Sequence, residues 1–230
     1  MDYAGRHVVV TGGTGALGSA VVGALLERGA HCHVPYIHAA EADRFAWRDH
    51  ALVELVAVAD LADEAAVAAF YGHLPALWAS VHLAGGFAMA PIGATKVADL
   101  RRQIDMNFIT TFLCCRAAVG AMREGGRIVN VAARAALEWR LGAGMAAYAA
   151  SKAAVAALTV ALAEEVARHD ILVNAVAPSI MDTPANRAAM PKADVAAWPK
   201  VEEVAATILF LASPDNKVTR GAVVPVYGKS

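Results

Sequence analysis

Residues 11–18 read Thr-Gly-Gly-Thr-Gly-Ala-Leu-Gly. They lie between Arg6-His7-Val8-Val9-Val10, which reads as a buried strand, and Ser19-Ala20-Val21-Val22-Gly23-Ala24-Leu25-Leu26, which reads as a helix. A strand, a glycine turn and a helix in that order bring backbone N–H groups and a helix N-terminus to one point. Such a point is suited to a pyrophosphate. Gly12, Gly15 and Gly18 recur at three-residue intervals, and a Cβ in the turn would keep the backbone away from the phosphates. Gly12, Thr14, Gly15, Ala16, Leu17 and Gly18 are therefore the expected cradle of a dinucleotide.

Strand and helix signals alternate along the rest of the chain. Strands are expected at Val8–Thr11, His31–Tyr36, Val53–Ala59, Ala79–Ala84, Arg127–Ala132, Leu172–Ala177 and Ala222–Val226. Helices are expected at Ser19–Arg28, Glu64–Tyr71, Asp99–Met122, Met145–His169 and Val201–Ala212. Strands separated by helices imply right-handed crossovers, hence a parallel sheet covered on both faces. The expectation is one α/β domain over residues 1–230: a doubly wound Rossmann fold with a parallel seven-stranded sheet flanked by helices. In such sheets ligands bind beyond the carboxyl ends of the strands. Thr11, Asp60, Ala84-Gly85, Ala133 and Pro178 all fall there.

Composition narrows the partners. The 230 residues are 58% hydrophobic and carry a formal charge of −1, so no basic face points to nucleic acid and no polybasic segment to a membrane surface. Apolar runs are interrupted before about 18 residues, which argues against a membrane span. No signal-peptide core precedes the first strand. The three cysteines, Cys32, Cys114 and Cys115, are odd in number and lack metal spacing. They read as buried thiols of a reduced, cytoplasmic protein without a metal site.

Tyr148-Ala-Ala-Ser151-Lys152 is the second motif. Residues four apart on a helix share a face, so Lys152 would place a positive charge near the Tyr148 hydroxyl. That charge favours phenolate and lowers a pKa that is about 10 in a free side chain, which suits tyrosine to general acid/base work.

With these pieces in place the chain resembles the short-chain dehydrogenase/reductases over essentially its full length. The matching stretches are Thr11–Gly18, Asp60, Leu83-Ala84-Gly85, Asn107, Ile128-Val129-Asn130-Val131, Tyr148–Lys152, and Asn174-Ala175-Val176-Ala177-Pro178 with Thr183. The resemblance implies an NAD(P)(H)-dependent oxidoreductase in which Tyr148 is the general acid/base. Lys152 also binds the nicotinamide ribose, Asn107 positions a relay water, Asp60 meets the adenine and Thr183 holds the carboxamide. Leu61, Ala84, Gly85, Gly86, Pro178 and Ile180 complete the implied cofactor-binding set. Relatives also imply a homodimer or homotetramer built on the two long alanine-rich helices.

One position departs from that pattern. Where the family carries a serine that bonds the substrate carbonyl, this chain has Ala133, in Val131-Ala132-Ala133-Arg134-Ala135. A donor of that kind is worth about 3 kcal/mol where charge develops. Dihydropteridine reductases lack the serine too. The chain resembles that branch at Gly13–Gly18, Ala84-Gly85-Gly86-Phe87, Gly144-Met145 and Met181-Asp182-Thr183-Pro184-Ala185-Asn186-Arg187. The expected activity is hydride transfer to a small carbonyl or conjugated imine. The alternatives are reduction of a quinonoid dihydropterin, and a catalytically weak dinucleotide-binding sensor or structural subunit. Ala133, Trp139, Met190 and Trp198 are the expected substrate contacts, the last two within a lid-like segment from Pro184 to Pro199. No acidic residue stands at Tyr36-Ile37-His38, after the second strand, so NADP(H) is slightly favoured over NAD(H). Glu41 or Asp43 would reverse that if the loop folds back.

Overall fold

The computed structural model describes all 230 residues. Its seven strands are β1 (His7–Thr11), β2 (His31–Tyr36), β3 (Val53–Ala57), β4 (Leu77–His82), β5 (Gly126–Val131), β6 (Ile171–Pro178) and β7 (Val223–Val226). They form one sheet in the order β3-β2-β1-β4-β5-β6-β7, and every neighbouring pair is parallel. The helices are α1 (Ala16–Leu26), α2 (Ala39–Asp43), α3 (Glu64–Gly72), α4 (Val97–Ile104), α5 (Thr110–Ala121), α6 (Arg134–Leu137), α7 (Ala146–Glu165), α8 (Pro184–Ala189) and α9 (Val201–Ala212). The expected doubly wound sheet is present.

Side chains alternate across the sheet, so consecutive valines serve opposite faces. Val8 and Val10 join Val34, Val129 and Val176 against Val21, Val22 and Leu25 of α1 and Ile208 and Leu209 of α9. Val9 joins Ile128 and Val173 against Val67 and Phe70 of α3, Leu113 and Ala118 of α5, and Ala163 of α7. Each fully buried Leu or Ile contributes about 1.5–3 kcal/mol through lost water contact, which is what fastens the two helical layers. The helical stretches Val97–Ala121 and Ala146–Glu165 are long and apolar enough to cross a membrane by length and composition. Here each lays one face on the sheet. Cys32, Cys114 and Cys115 are free and buried, and burial pushes the Cys32 and Cys114 thiols up to about 12.

Several boundaries differ from the sequence expectation. The first helix starts three residues earlier, at Ala16, because the last residues of the glycine motif already belong to its first turn. The third strand ends at Ala57 and the fourth at His82, so Asp60 and Ala84 lie in loops. The expected helix Asp99–Met122 is interrupted by a π-helical turn, Asp105–Ile109. Two hydroxyls serve carbonyls around this turn: Thr110 Oγ1 donates to the Met106 carbonyl and Thr111 Oγ1 to the Asn107 carbonyl, each at 2.8 Å. The segment after Pro184 is not an open loop but carries α8 and a 3-10 turn, Val195–Ala197. Short α2 and α6 had no sequence signal strong enough to predict them.

A buried polar chain crosses the sheet beneath the strand ends. The Tyr71 and Ser80 hydroxyls lie 2.8 Å apart, Ser80 Oγ is 2.8 Å from His82 Nε2, and His82 Nδ1 is 2.8 Å from Asn130 Oδ1. Asn130 Nδ2 donates to Thr159 Oγ1 at 2.9 Å, and Thr159 donates to the Val155 carbonyl. Because Asn130 Oδ1 can only accept, His82 donates from Nδ1 and accepts at Nε2 as a neutral ring. Burial pulls its pKa down to about 4 from 6.5.

Between those two values the unfolded chain binds a proton that the native His82 refuses, so stability rises with pH across the window. The span is worth about 3 kcal/mol. Urea unfolding at pH 4.5 and 7 should show His82→Gln losing part of the wild-type difference. An unchanged difference would contradict this protonation state.

Candidate active site

The glycine motif is shaped by contacts that exclude side chains. Gly12 has φ +65°, and a Cβ there would lie 2.7 Å from the Ala84 amide nitrogen and 2.9 Å from the Leu83 carbonyl carbon. The turn after β1 therefore crosses the end of β4 backbone to backbone. Thr11 Oγ1 accepts from the Ala84 amide at 3.2 Å and ties the same two strand ends together. A Cβ on Gly18 would run into the Gly12 carbonyl oxygen and stand 2.5 Å from Gly13 Cα. Gly15 differs: its φ is −77°, and an added Cβ would meet only the Gly12 oxygen, at 3.3 Å. It is the N-cap of α1 with no side-chain cap, and Gly15 and Ala16 are exposed. The uncapped start of an 11-residue helix thus lies open beside the strand ends at Gly15 and Ala16, the setting in which helix N-termini bind phosphates. Thr14 is half-buried, while Leu17 turns its side chain into the core.

The loop after β4 is held from the other side by Asn107, which is fully buried in the π turn. Its Oδ1 accepts from the Gly86 amide and its Nδ2 donates to the Gly86 carbonyl, both at 3.0 Å. Nδ2 also lies 3.1 Å from Ser151 Oγ and 3.4 Å from Gln103 Oε1. A Cβ on Gly85 would stand 2.6 Å from Asn107 Oδ1 and 3.5 Å from Lys152 Nζ. Gly85 therefore lets the loop, Asn107 and Lys152 come together. Ser151 and Gln103 were missed by sequence reasoning. Their signals were helical spacing: Ser151 is three residues beyond Tyr148, whose carbonyl it bonds at 2.8 Å, and Gln103 is four before Asn107.

Tyr148 and Lys152 lie one turn apart on α7. The Tyr148 ring stands edge-on to Phe87 at 4.9 Å between centroids. Lys152 Nζ donates to the Val131 carbonyl at the end of β5, at 2.8 Å. Burial pulls Lys152 down to about 8 and pushes Tyr148 up to about 12. The expected lowering of the tyrosine by the lysine charge is not found; burial of the ring raises it instead.

The remaining positions divide. Ala133 is buried at the N-cap of α6 and offers no polar side-chain atom. The neighbouring Arg134 is occupied: it bonds Glu138 at 3.0 and 3.1 Å and the Ser230 carbonyl at 2.7 Å, and it lies over the Tyr227 ring. Asp60 is exposed and accepts from the Ala62 amide at 2.8 Å, whereas Asp63 caps α3. Leu61 and Pro178 are buried and Ile180 is 44% exposed. Thr183 caps α8, its Oγ1 accepting from the Asn186 amide at 3.2 Å. Trp139 is 78% exposed, Met190 is half-buried and Trp198 is buried. The Pro184–Pro199 segment is closed at its base, where the Asp182 amide donates to the Pro199 carbonyl at 2.9 Å. Arg187 spans its first turn with a two-pronged pair to Asp182, at 2.6 and 2.7 Å.

Gly18→Ala should lower thermal stability by several degrees, since an overpacked methyl typically costs about 1–3 kcal/mol. Gly15→Ala should leave the melting temperature nearly unchanged. Thermal melts of the two variants check the distinction, and equal losses would contradict it.

The sequence profile described as short chain dehydrogenase matches residues 6–194. The chain is 32% identical to the (2S)-[(R)-hydroxy(phenyl)methyl]succinyl-CoA dehydrogenase subunit BbsD of Thauera aromatica, over 99% of this chain and 97% of that one. It is 31% identical to the 2-dehydro-3-deoxy-L-rhamnonate dehydrogenase (NAD(+)) of a Sphingomonas strain, over 98% and 95%. Among solved structures, a blue fluorescent protein from a metagenomic library in complex with NADPH superposes with a TM-score of 0.89 at 28% identity, over 100% and 99% of the two chains. The chain belongs to the short-chain dehydrogenase/reductase family of NAD(P)-dependent oxidoreductases.

Proposed function

We propose that this chain transfers hydride between a nicotinamide dinucleotide and a small carbonyl or conjugated imine, with Tyr148 as proton donor. The observation that carries the reading is the convergence of three loops at the sheet's carboxyl edge. Lys152 Nζ sits on the end of β5 and beside Gly85 of the β4 loop, and that loop packs on Gly12 of the glycine turn. The Tyr148 hydroxyl makes no bond within the chain and is left for a substrate.

The dinucleotide fits the cradle because the space a Cβ would fill is kept open at Gly15 while Gly12 and Gly18 are packed shut. Gly12, Thr14, Gly15, Ala16 and Gly18 would hold its phosphates, Asp60 and Leu61 its adenine end, and Ala84, Gly85 and Gly86 its middle. Lys152, Pro178, Ile180 and Thr183 would hold the nicotinamide end. When bound, the cofactor supplies or accepts the hydride. At neutral pH Tyr148 stays protonated, because burial holds its pKa near 12, so it is poised as an acid. Lys152, near 8, exchanges protons close to neutrality and is suited to restoring that proton. Asn107 has its amide spent on Gly86, Gln103 and Ser151, so it fixes the loop through its side chain.

The substrate has to bring its own polarisation, because Ala133 offers no donor and Arg134 is engaged elsewhere. That favours a conjugated, electron-poor acceptor, and it is the specific support for the second reading, reduction of a quinonoid dihydropterin. Phe87, Met89 and Trp139 are 61, 66 and 78% exposed and would give a flat apolar substrate a wall. The cofactor choice turns on charge: the bare end of β2 favours NADP(H), while α2 brings Glu41 toward the glycine turn. Phe112 of α5 and Val160 of α7, both over 40% exposed, suit a homodimer or homotetramer built on these helices.

Tyr148→Phe should keep nucleotide binding and lose about 10²–10⁴-fold in turnover, the range of a general acid. Ala133→Ser should raise turnover of simple ketones at least about tenfold, as a donor at a developing oxyanion would, and change conjugated substrates little. Steady-state kinetics on both substrate types decide it. Full turnover by Tyr148→Phe would contradict the proton donor.

A further inference from the structure

We propose that His7, His33 and Glu54 form a two-stage proton latch across the outer strands of the sheet, which stays closed with one added proton and is opened by a second. The latch lies toward the amino ends of β1, β2 and β3, away from the glycine turn. Parallel pairing sets His7 beside His31, and His33 beside both Val9 and Glu54. Paired residues share a face of the sheet, and residues two apart on a strand return to it, so three imidazoles and a carboxylate stand together. His7 Nδ1 is 2.9 Å from His33 Nε2, and His33 Nδ1 is 2.7 Å from Glu54 Oε2. The His7 ring stacks on His31 with 4.9 Å between centroids. His7 and His31 are half-buried, His33 is buried and Glu54 is open to water.

The proton positions follow from what each atom can do. A carboxylate only accepts, so His33 donates to Glu54 from Nδ1. With both rings neutral, His33 Nε2 is a bare lone pair, and His7 donates to it from Nδ1. One added proton fits: it enters at His7 Nε2 and leaves the bridge between the rings intact. Passing the bridging proton across to His33 then puts the positive charge beside the Glu54 carboxylate. A second proton has no such place. It would leave an N–H on His7 Nδ1 and another on His33 Nε2, two donors on two cations with no acceptor between them. Burial first, and then His33 and His31, hold His7 below the usual imidazole range, against the pull of Glu54. For His33, burial outweighs the bond to Glu54. The unfolded chain therefore binds protons below a pH of about 6.5 that the latch refuses. Its contribution to stability is complete above that pH and is lost as pH falls. The bridge ties β2 to β1, and β3 is an edge strand held only by β2, so acid loosens this side of the sheet.

Imidazole nitrogen NMR on the full chain, with the pH lowered from 7.5 to 4.5, reads the tautomer and proton count of each ring. At the upper pH His33 should be bare at Nε2 and His7 protonated at Nδ1. On acidification the two rings should take up protons in two separate steps. Amide exchange in β2 and β3 should speed up with the second step only. Glu54→Gln keeps an acceptor but removes its charge, and should move the first step to lower pH. His7→Phe should leave His33 titrating in a single step. Rings that titrate independently in the wild type, an unmoved first step in Glu54→Gln, or both rings charged with β2 and β3 still protected would each overturn the latch. Exchange that already rises with the first proton would overturn it as well.

Discussion

The backbone crossing of Gly12 over Ala84 is the constraint on which the rest of this structure depends. The sheet order places β1 between β2 and β4, so the chain leaves β1 toward one side and returns on the other. A crevice opens where the order reverses. That crevice is usable only if the turn after β1 and the loop after β4 lie against each other without side chains between them. Gly12 removes the Cβ from one side, and Thr11 binds the other through the Ala84 amide. Gly18 then lets α1 begin directly on the turn, which aims its uncapped first amides at the same crevice.

From there Tyr148 and Lys152 are set by a second clamp. Asn107 grips Gly86 through both its backbone groups, and the π turn supplies the extra residue that brings it there. Ser151 links this clamp to α7, where Tyr148 and Lys152 stand. Burial moves those two groups toward their neutral forms, Lys152 downward and Tyr148 upward. The two pKa values are thereby brought to about 8 and 12, in the reverse of the order that a charged lysine activating a phenolate would require. Burial thus favours the protonated form of Tyr148.

The central strands were legible because β-strands buried on both faces leave continuous apolar runs, and each of the seven was placed within two residues. The glycine turn and the Tyr148–Lys152 spacing were legible because local geometry alone defines them. What was not legible depended on contacts distant in sequence. The π turn arises where Asn107 reaches Gly86, 21 residues away, and nothing in Asp105–Ile109 departs from a helical pattern. Short α2 has five residues with one buried side chain, too few for periodicity, yet it decides where Glu41 goes. The pKa of Tyr148 was expected to fall because spacing reveals a nearby charge but not the Phe87 ring that helps to exclude water. Asp60 and Thr183 proved to have hydrogen bonds of their own within loop and cap, which spacing does not distinguish from ligand contacts.

The central claim is that one nucleotide lies across both packed loops. Amide hydrogen exchange with and without saturating NADH tests it most directly, because it reports each backbone segment separately. The account predicts added protection in residues 12–18 and in 84–86 together, with little change at β3 or along the far end of α7. Protection confined to one loop, or none in either, would contradict it.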